Sequence, residues 1–399
     1  MGLIPLGERP APSVPPSGWA PFALGFRPFF ALAGLSGLIL MVLWIGFWHA
    51  GRAPSPYFTT IDWHSHEMLF GFTLAIIAGF LLTAVRNWTG IDTPTGKPLA
   101  SLALLWLIAR FLPFVPSIPS WLVAVTDWLF IPALIYALYT PLTKAENRIN
   151  RLFLPLLAAM ALANLLYHLQ GLGMASTGQR GLTLMLNLIL LLLIFVGGRV
   201  LPFFTEKAVV GASPRFSKQR EQFVYAVFIL WTLGEVLLPQ SGLLFPMAFG
   251  VAATQAWRLI DWYHPGIWRR PILWVLFSGL FWMTIGFALK GLALLNLFPA
   301  NLAVHALTAG AIGVFTLGMM ARVALGHTGR EIEPNRFIAI TFVLINLAVI
   351  IRVFLPVTGL LSYEACIGLS GSLWAICYLL FVIVYLPILV RPRVDGRPG

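Results

Sequence analysis

The sequence predicts an all-α, polytopic membrane protein: a twelve-helix transmembrane bundle with both termini cytoplasmic. Three observations carry this. The 399 residues are 59% hydrophobic and 10% charged, with a mean hydropathy of +0.87, well above the roughly half-apolar make-up of soluble domains. Apolar runs near the ~20 residues that span a bilayer as helix recur along the whole chain. Lys and Arg also fall overwhelmingly on one side of those runs, which sets orientation.

Taken in order, the spans are 29–49, led in by Arg27; 67–86 and 98–113, joined through Arg86 and Lys97; 120–140 and 152–170, joined through Lys144, Arg148 and Arg151. Then come 183–204 and 222–238, joined through Arg199, Lys207, Arg215, Lys218 and Arg220; 242–258 and 271–293, joined through Arg258, Arg269 and Arg270; 302–323 and 337–356, joined through Arg322, Arg330 and Arg336; and 363–390, followed by Arg391, Arg393 and Arg397. Only Arg52, Arg110, Arg180, Lys290 and Arg352 of the 26 basic residues fall in the opposite half. The split places both termini inside, favours an even helix count, and accounts for the net charge of +12 without a nucleic-acid partner.

Residues 1–28 read as a cytoplasmic, proline-rich segment without the compact apolar stretch of a cleavable signal, 29–390 as one membrane domain, and 391–399 as a short basic tail. The longest inner connection, 205–221, is too short to fold alone. Cys366 and Cys377 are about 16 Å apart along one helix, beyond disulfide reach of each other. The chain contains no P-loop, HExxH or dinucleotide fingerprint, which removes the usual footholds for ATP-driven or nicotinamide chemistry.

Five of the seven histidines sort to the outer side: His49, His64, His66, His168 and His305. The acids Asp62, Glu67, Glu235 and Glu364 join them, with Asp127 deeper in the fourth span. Imidazoles brought together from different helices are how a bundle builds a haem or copper site. His66 and His305, at similar depth on separate helices, are candidates for the two faces of one haem iron. His64, His49 and His168 are candidate copper or second-site ligands, and Glu67 a carboxylate orienting an imidazole. In a continuous helix His64 and His66 would point about 200° apart; were the backbone extended before the helix, both could chelate one copper. Met68 and Met174 are soft donors for copper(I) or simply packing. Taken singly, each histidine also reads as an amphipathic residue at the membrane border.

On the inner side, "ALGFRPFF", "GGRVLPFFTEK" and "MMARVALGHTGR" each set an Arg at a helix end beside Gly or Pro. Arg27, Arg86, Arg199, Arg322, His327 and Arg330 could converge on an anion such as a haem propionate or a lipid phosphate; the positive-inside rule alone is the competing reading. A shift of 239 residues aligns His66 with His305, Gly71 with Gly310, Gly79 with Gly318, and Thr89-Gly90 with Thr328-Gly329, which hints at an internal repeat.

"ALGFRPFF", "WHSHEMLFGF", "GGRVLPFF" and "ARVALGHTGR", in this order, resemble the NnrS family, the bacterial haem- and copper-containing inner-membrane proteins of the nitric oxide response. The resemblance implies a twelve-helix protein associated with haem and copper that relieves nitrosative stress, with nitric oxide as a ligand, membrane lipid as surroundings and an electron donor still to be identified. Helix positions are also similar to the haem-copper oxidases, which carry haem histidines on helices two and ten. Here the sixth span has no His, the seventh no His-His pair and the tenth no HxH, so the familiar reductase centre is missing. A reading from a different class is a transporter or channel for a metabolite or metal, with Asp127, Arg110, Glu235 and Lys290 on its pathway.

Overall fold

The computed structural model describes residues 18–146 and 148–397, and within them the chain is helical without a strand. The expected lead-in lies outside the described residues as far as residue 17. Ten helices are long and apolar enough to cross a membrane: α1 (Phe26–Ala50), α2 (Thr60–Thr89), α3 (Gly96–Phe111), α4 (Ser120–Thr143), α5 (Phe153–Gly171), α6 (Gly178–Ala208), α9 (Pro271–Leu294), α10 (Ala300–His327), α11 (Arg336–Val353) and α12 (Tyr363–Val390). Between α6 and α9 run α7 (Lys218–Leu237) and α8 (Leu244–Trp262), at the places expected for the seventh and eighth spans. They are long enough but more polar: α7 carries Arg220, Glu221 and Glu235, and α8 carries Gln255, Arg258 and Asp261. Of the twelve expected spans, ten thus have both the length and the apolarity of a membrane crossing.

Local chemistry sets the ends. The Thr59 hydroxyl accepts from Asp62 N–H and starts α2 seven residues earlier than its apolar run suggests. His64 and His66 therefore sit inside a helix, on different faces, and the extended-backbone chelate is excluded. Ser217, Asn335 and Ser362 cap α7, α11 and α12 in the same way. Gly51 and Gly90, in the left-handed region, close α1 and α2.

Two helices depart from regular geometry at matching points. α2 widens into a π-helical segment, Glu67–Thr73, directly after His66, and α10 does so over Ala306–Val314, directly after His305. Such segments re-aim side chains and recur at functional sites. The shift that aligns the two histidines also aligns the first residues of the two π segments, so the repeat suggested by a few identities has a structural counterpart.

Between α6, α7 and α8 lies a buried charged knot. Arg258, fully buried, donates from Nη2 to Glu221 Oε2 at 2.9 Å and to the Ile194 carbonyl at 2.7 Å, while Arg220 bonds Glu221 and Asp261. A Cβ on Gly198 would stand 2.4 Å from Arg258 Nη2, which explains the paired glycines of "GGRVLPFF" by packing.

Candidate metal centre

α2, α3, α4 and α5 bring six buried polar side chains together at one end of the bundle: His66, Glu67, Arg110, Asp127, Asn164 and His168. Their bonding is directional. His66 Nε2 lies 3.2 Å and His168 Nε2 3.0 Å from the same oxygen, Asp127 Oδ2, to which Asn164 Nδ2 donates at 2.9 Å. Nδ1 of each imidazole faces outward onto an oxygen: Glu67 Oε1 at 3.1 Å for His66, and the Tyr57 hydroxyl at 2.8 Å for His168. Burial pushes the Tyr57 phenol up, so its hydroxyl stays protonated at neutral pH. Arg110 bridges the two acids, donating to both oxygens of Glu67 at 2.9 Å and pairing with Asp127. The backbone gives way to this arrangement at Gly71, where a Cβ would stand 2.7 Å from Arg110 Nη1 and 2.9 Å from Glu67 Oε2.

One ligand atom each from His66, Asp127 and His168 falls within 4.8 Å of the others, the spacing of a metal-binding group. The outer nitrogens match the way metal-bound histidines are held, with the far N–H donated to a carboxylate or another oxygen. Asn164 Oδ1 is buried and without a hydrogen-bond partner among the described residues. Counted as charges with neutral imidazoles, Arg110 balances one of the two carboxylates and leaves one unit of negative charge buried.

The other sequence candidates separate. His64 stacks on Trp44 at 4.1 Å and lines, with His305, a cavity of about 270 Å³ walled by Met41, Met68, Leu69, Phe72 and Trp374. His305 Nδ1 lies 2.6 Å from the Asn301 carbonyl, to which its N–H donates. The histidine that shares a cavity with His305 is therefore His64. His66 Nε2 faces Asp127 and His66 does not line that cavity, so the structure does not bring His66 and His305 together as the sequence reading expected. His49 is exposed at the end of α1, and Met174 is exposed in the α5–α6 turn.

The inner arginines do not gather around one anion. Arg27 donates to the carbonyls of Leu389 (3.0 Å) and Arg391 (2.5 Å). The tail lies against the end of α10, where Arg393 donates to the His327 carbonyl at 2.7 Å and Val394 N–H to the Thr328 carbonyl at 3.1 Å; Arg330 reaches that same Thr328 carbonyl at 3.5 Å. Arg86 pairs with Asp92, Arg199 with Asn150 over the Trp88 ring, and Arg322 lies 3.5 Å over Phe204. Backbone carbonyls and aromatic faces occupy the guanidiniums expected to bind a propionate or phosphate. The four charges set out for a transport pathway are paired, Arg110 with Asp127 and Lys290 with Glu235, the latter pair lining the cavity of His64 and His305.

Sequence reasoning singled out His66 and His168 but not Asp127, Asn164 or Tyr57 as their partners. An acid two turns inside an apolar span was the available signal for Asp127. No curated protein matches the chain. The family model described as NnrS protein matches residues 20–393, nearly the whole length, and the chain belongs to the NnrS family.

Proposed function

We propose that this chain is an inner-membrane metal protein that relieves nitric oxide stress, with both termini cytoplasmic and its metal centre, His66, Asp127 and His168, in the periplasmic half of a twelve-helix bundle. Family membership suggests a role in the nitric oxide response. The observation that carries the metal is the buried excess of one carboxylate, with two imidazole Nε2 atoms converging on one oxygen of Asp127. A buried charge needs a partner, and a cation at that point supplies it.

Two nitrogens and one carboxylate oxygen suit copper(II) or ferrous iron over magnesium or calcium, which prefer all-oxygen sets. The bound ion would supply an open coordination position for a diatomic ligand such as nitric oxide. The chain's own part is definable. Asp127 Oδ2 and the two Nε2 atoms would hold the ion, the oxygens of Glu67 and Tyr57 accept hydrogen bonds from the Nδ1–H groups and so fix the ring tautomers, and Arg110 keeps both acids in place. Haem, implied by the resemblance, does not fit His66 and His305 as an axial pair, because His66 Nε2 faces Asp127 whereas His305 lines a cavity that His66 does not.

The test joins spectroscopy to phenotype. Purified protein exposed to nitric oxide should change its electron paramagnetic resonance, by gaining a ferrous nitrosyl signal or by losing a copper(II) signal, and Asp127→Asn should not. Cells carrying Asp127→Asn should grow under nitric oxide like cells without the protein. The same spectral change and full protection in Asp127→Asn would refute the assignment.

A further inference from the structure

The two π-bearing helices stand in comparable frames. Arg110 is the penultimate residue of α3 and Arg352 the penultimate residue of α11; Asp127 is the eighth residue of α4 and Ser370 the eighth of α12. Glu67 opens the π segment of α2 and Ala306 that of α10. The arginine is thus kept in both halves, whereas both carboxylates that answer it in the first half are absent from the second.

The consequence is visible at Arg352. It forms no ion pair among the described residues; Nη2 meets the Tyr363 hydroxyl at 3.0 Å, and Nη1 is buried without a hydrogen-bond partner among them. Both guanidiniums sit at helix C-termini, so any help from the helix dipole is common to the two. Arg352 lines a cavity of about 50 Å³ with His64, His305 and Ser370, adjoining the larger cavity through the two histidines. That volume admits a few water-sized atoms and no more. A guanidinium with an unanswered N–H, lining a small, mostly apolar hole that also holds two imidazoles and a hydroxyl, favours a small planar oxyanion over a hydrated or bulky one.

We propose that the cavity bounded by Arg352, His64, His305 and Ser370 binds a small, planar, monovalent oxyanion, of the size of nitrite or formate, where the other half of the bundle uses the carboxylates of Glu67 and Asp127. The site is independent of any metal at His66.

Isothermal titration of the full chain in detergent with sodium nitrite, formate, chloride and phosphate tests this. The expected result is saturable binding of nitrite and formate with a Kd of about 1 mM or tighter, weakened about tenfold or more in Arg352→Met. Ser370→Asp, which restores an internal carboxylate, should weaken it comparably while leaving metal content unchanged, so that misfolding is distinguishable from loss of the site. No saturable binding of nitrite or formate to the wild type, or unchanged binding in Arg352→Met, overturns the proposal. Equal affinity for chloride or phosphate overturns the assignment to a planar oxyanion.

Discussion

The α2 half and the α10 half of the bundle start from the same parts: a histidine ahead of a π segment, and an arginine one residue from the end of the following helix. They end in opposite electrostatic states. Around His66 the arginine meets two acids and a negative charge is left over; around His305 it meets none among the described residues and a positive charge is left over. Two substitutions in kind, Glu67 against Ala306 and Asp127 against Ser370, separate a place suited to a cation from one suited to an anion. In a medium that cannot solvate charge, two carboxylates decide what a site attracts.

The largest effect should come from removing the shared arginine. Arg110→Met leaves Glu67 and Asp127 buried against each other and should cost about 3–5 kcal/mol, read as a large fall in thermal unfolding temperature in detergent. Arg352→Met, which loses one hydroxyl contact, should cost about 1 kcal/mol or less. Equal losses would break the comparison. Next in size are the glycines. Gly71→Ala drives a methyl into Arg110 and Glu67, and Gly310→Ala drives one into the Trp282 ring at 2.8 Å. Each should destabilise by about 1–3 kcal/mol, but only Gly71→Ala should also lower metal content.

Smaller still, Tyr57→Phe removes the oxygen that orients His168 and should weaken metal binding about tenfold, measured by competition with a chelator, without loss of fold. The smallest effect belongs to the tail, which serves neither half. Its hydrogen bonds with Arg393 hold the Asp395 carboxyl down, from 3.8 to about 2. A depressed folded value means the contribution is present above about pH 4 and is lost as pH falls towards 2. A spin label at position 397 should be immobilised above pH 4 and mobilised near pH 2; mobility that does not change over that range would contradict the contact.

Much of this was legible in the sequence, and the reasons for the remainder are specific. Length and apolarity located every long helix, and alternation through the spans gathered His64, His66, His168 and His305 at one end. The start of α2 was misplaced because apolarity marks where a helix enters lipid, whereas the Thr59 cap marks where the backbone begins to coil. Asp127 was visible as a costly residue, but its role depends on α4 and α5 lying beside α2, and no local pattern specifies that neighbourhood. The inner arginines misled for the converse reason: their spacing suggested an anion, while carbonyls of the returning tail and the faces of Trp88 and Phe204 were the partners. That Arg352 meets no carboxylate among the described residues is a fact of its neighbourhood in space, which composition cannot register.

The comparison is tested most directly by metal stoichiometry, measured by inductively coupled plasma mass spectrometry on purified wild type, His66→Ala and His305→Ala prepared side by side. The expectation is about one metal ion per chain in the wild type and in His305→Ala, and loss of that ion in His66→Ala, as for a site short of one of its ligands. A wild type without bound metal, or loss in His305→Ala with retention in His66→Ala, would contradict the assignment of the cation to the α2 half.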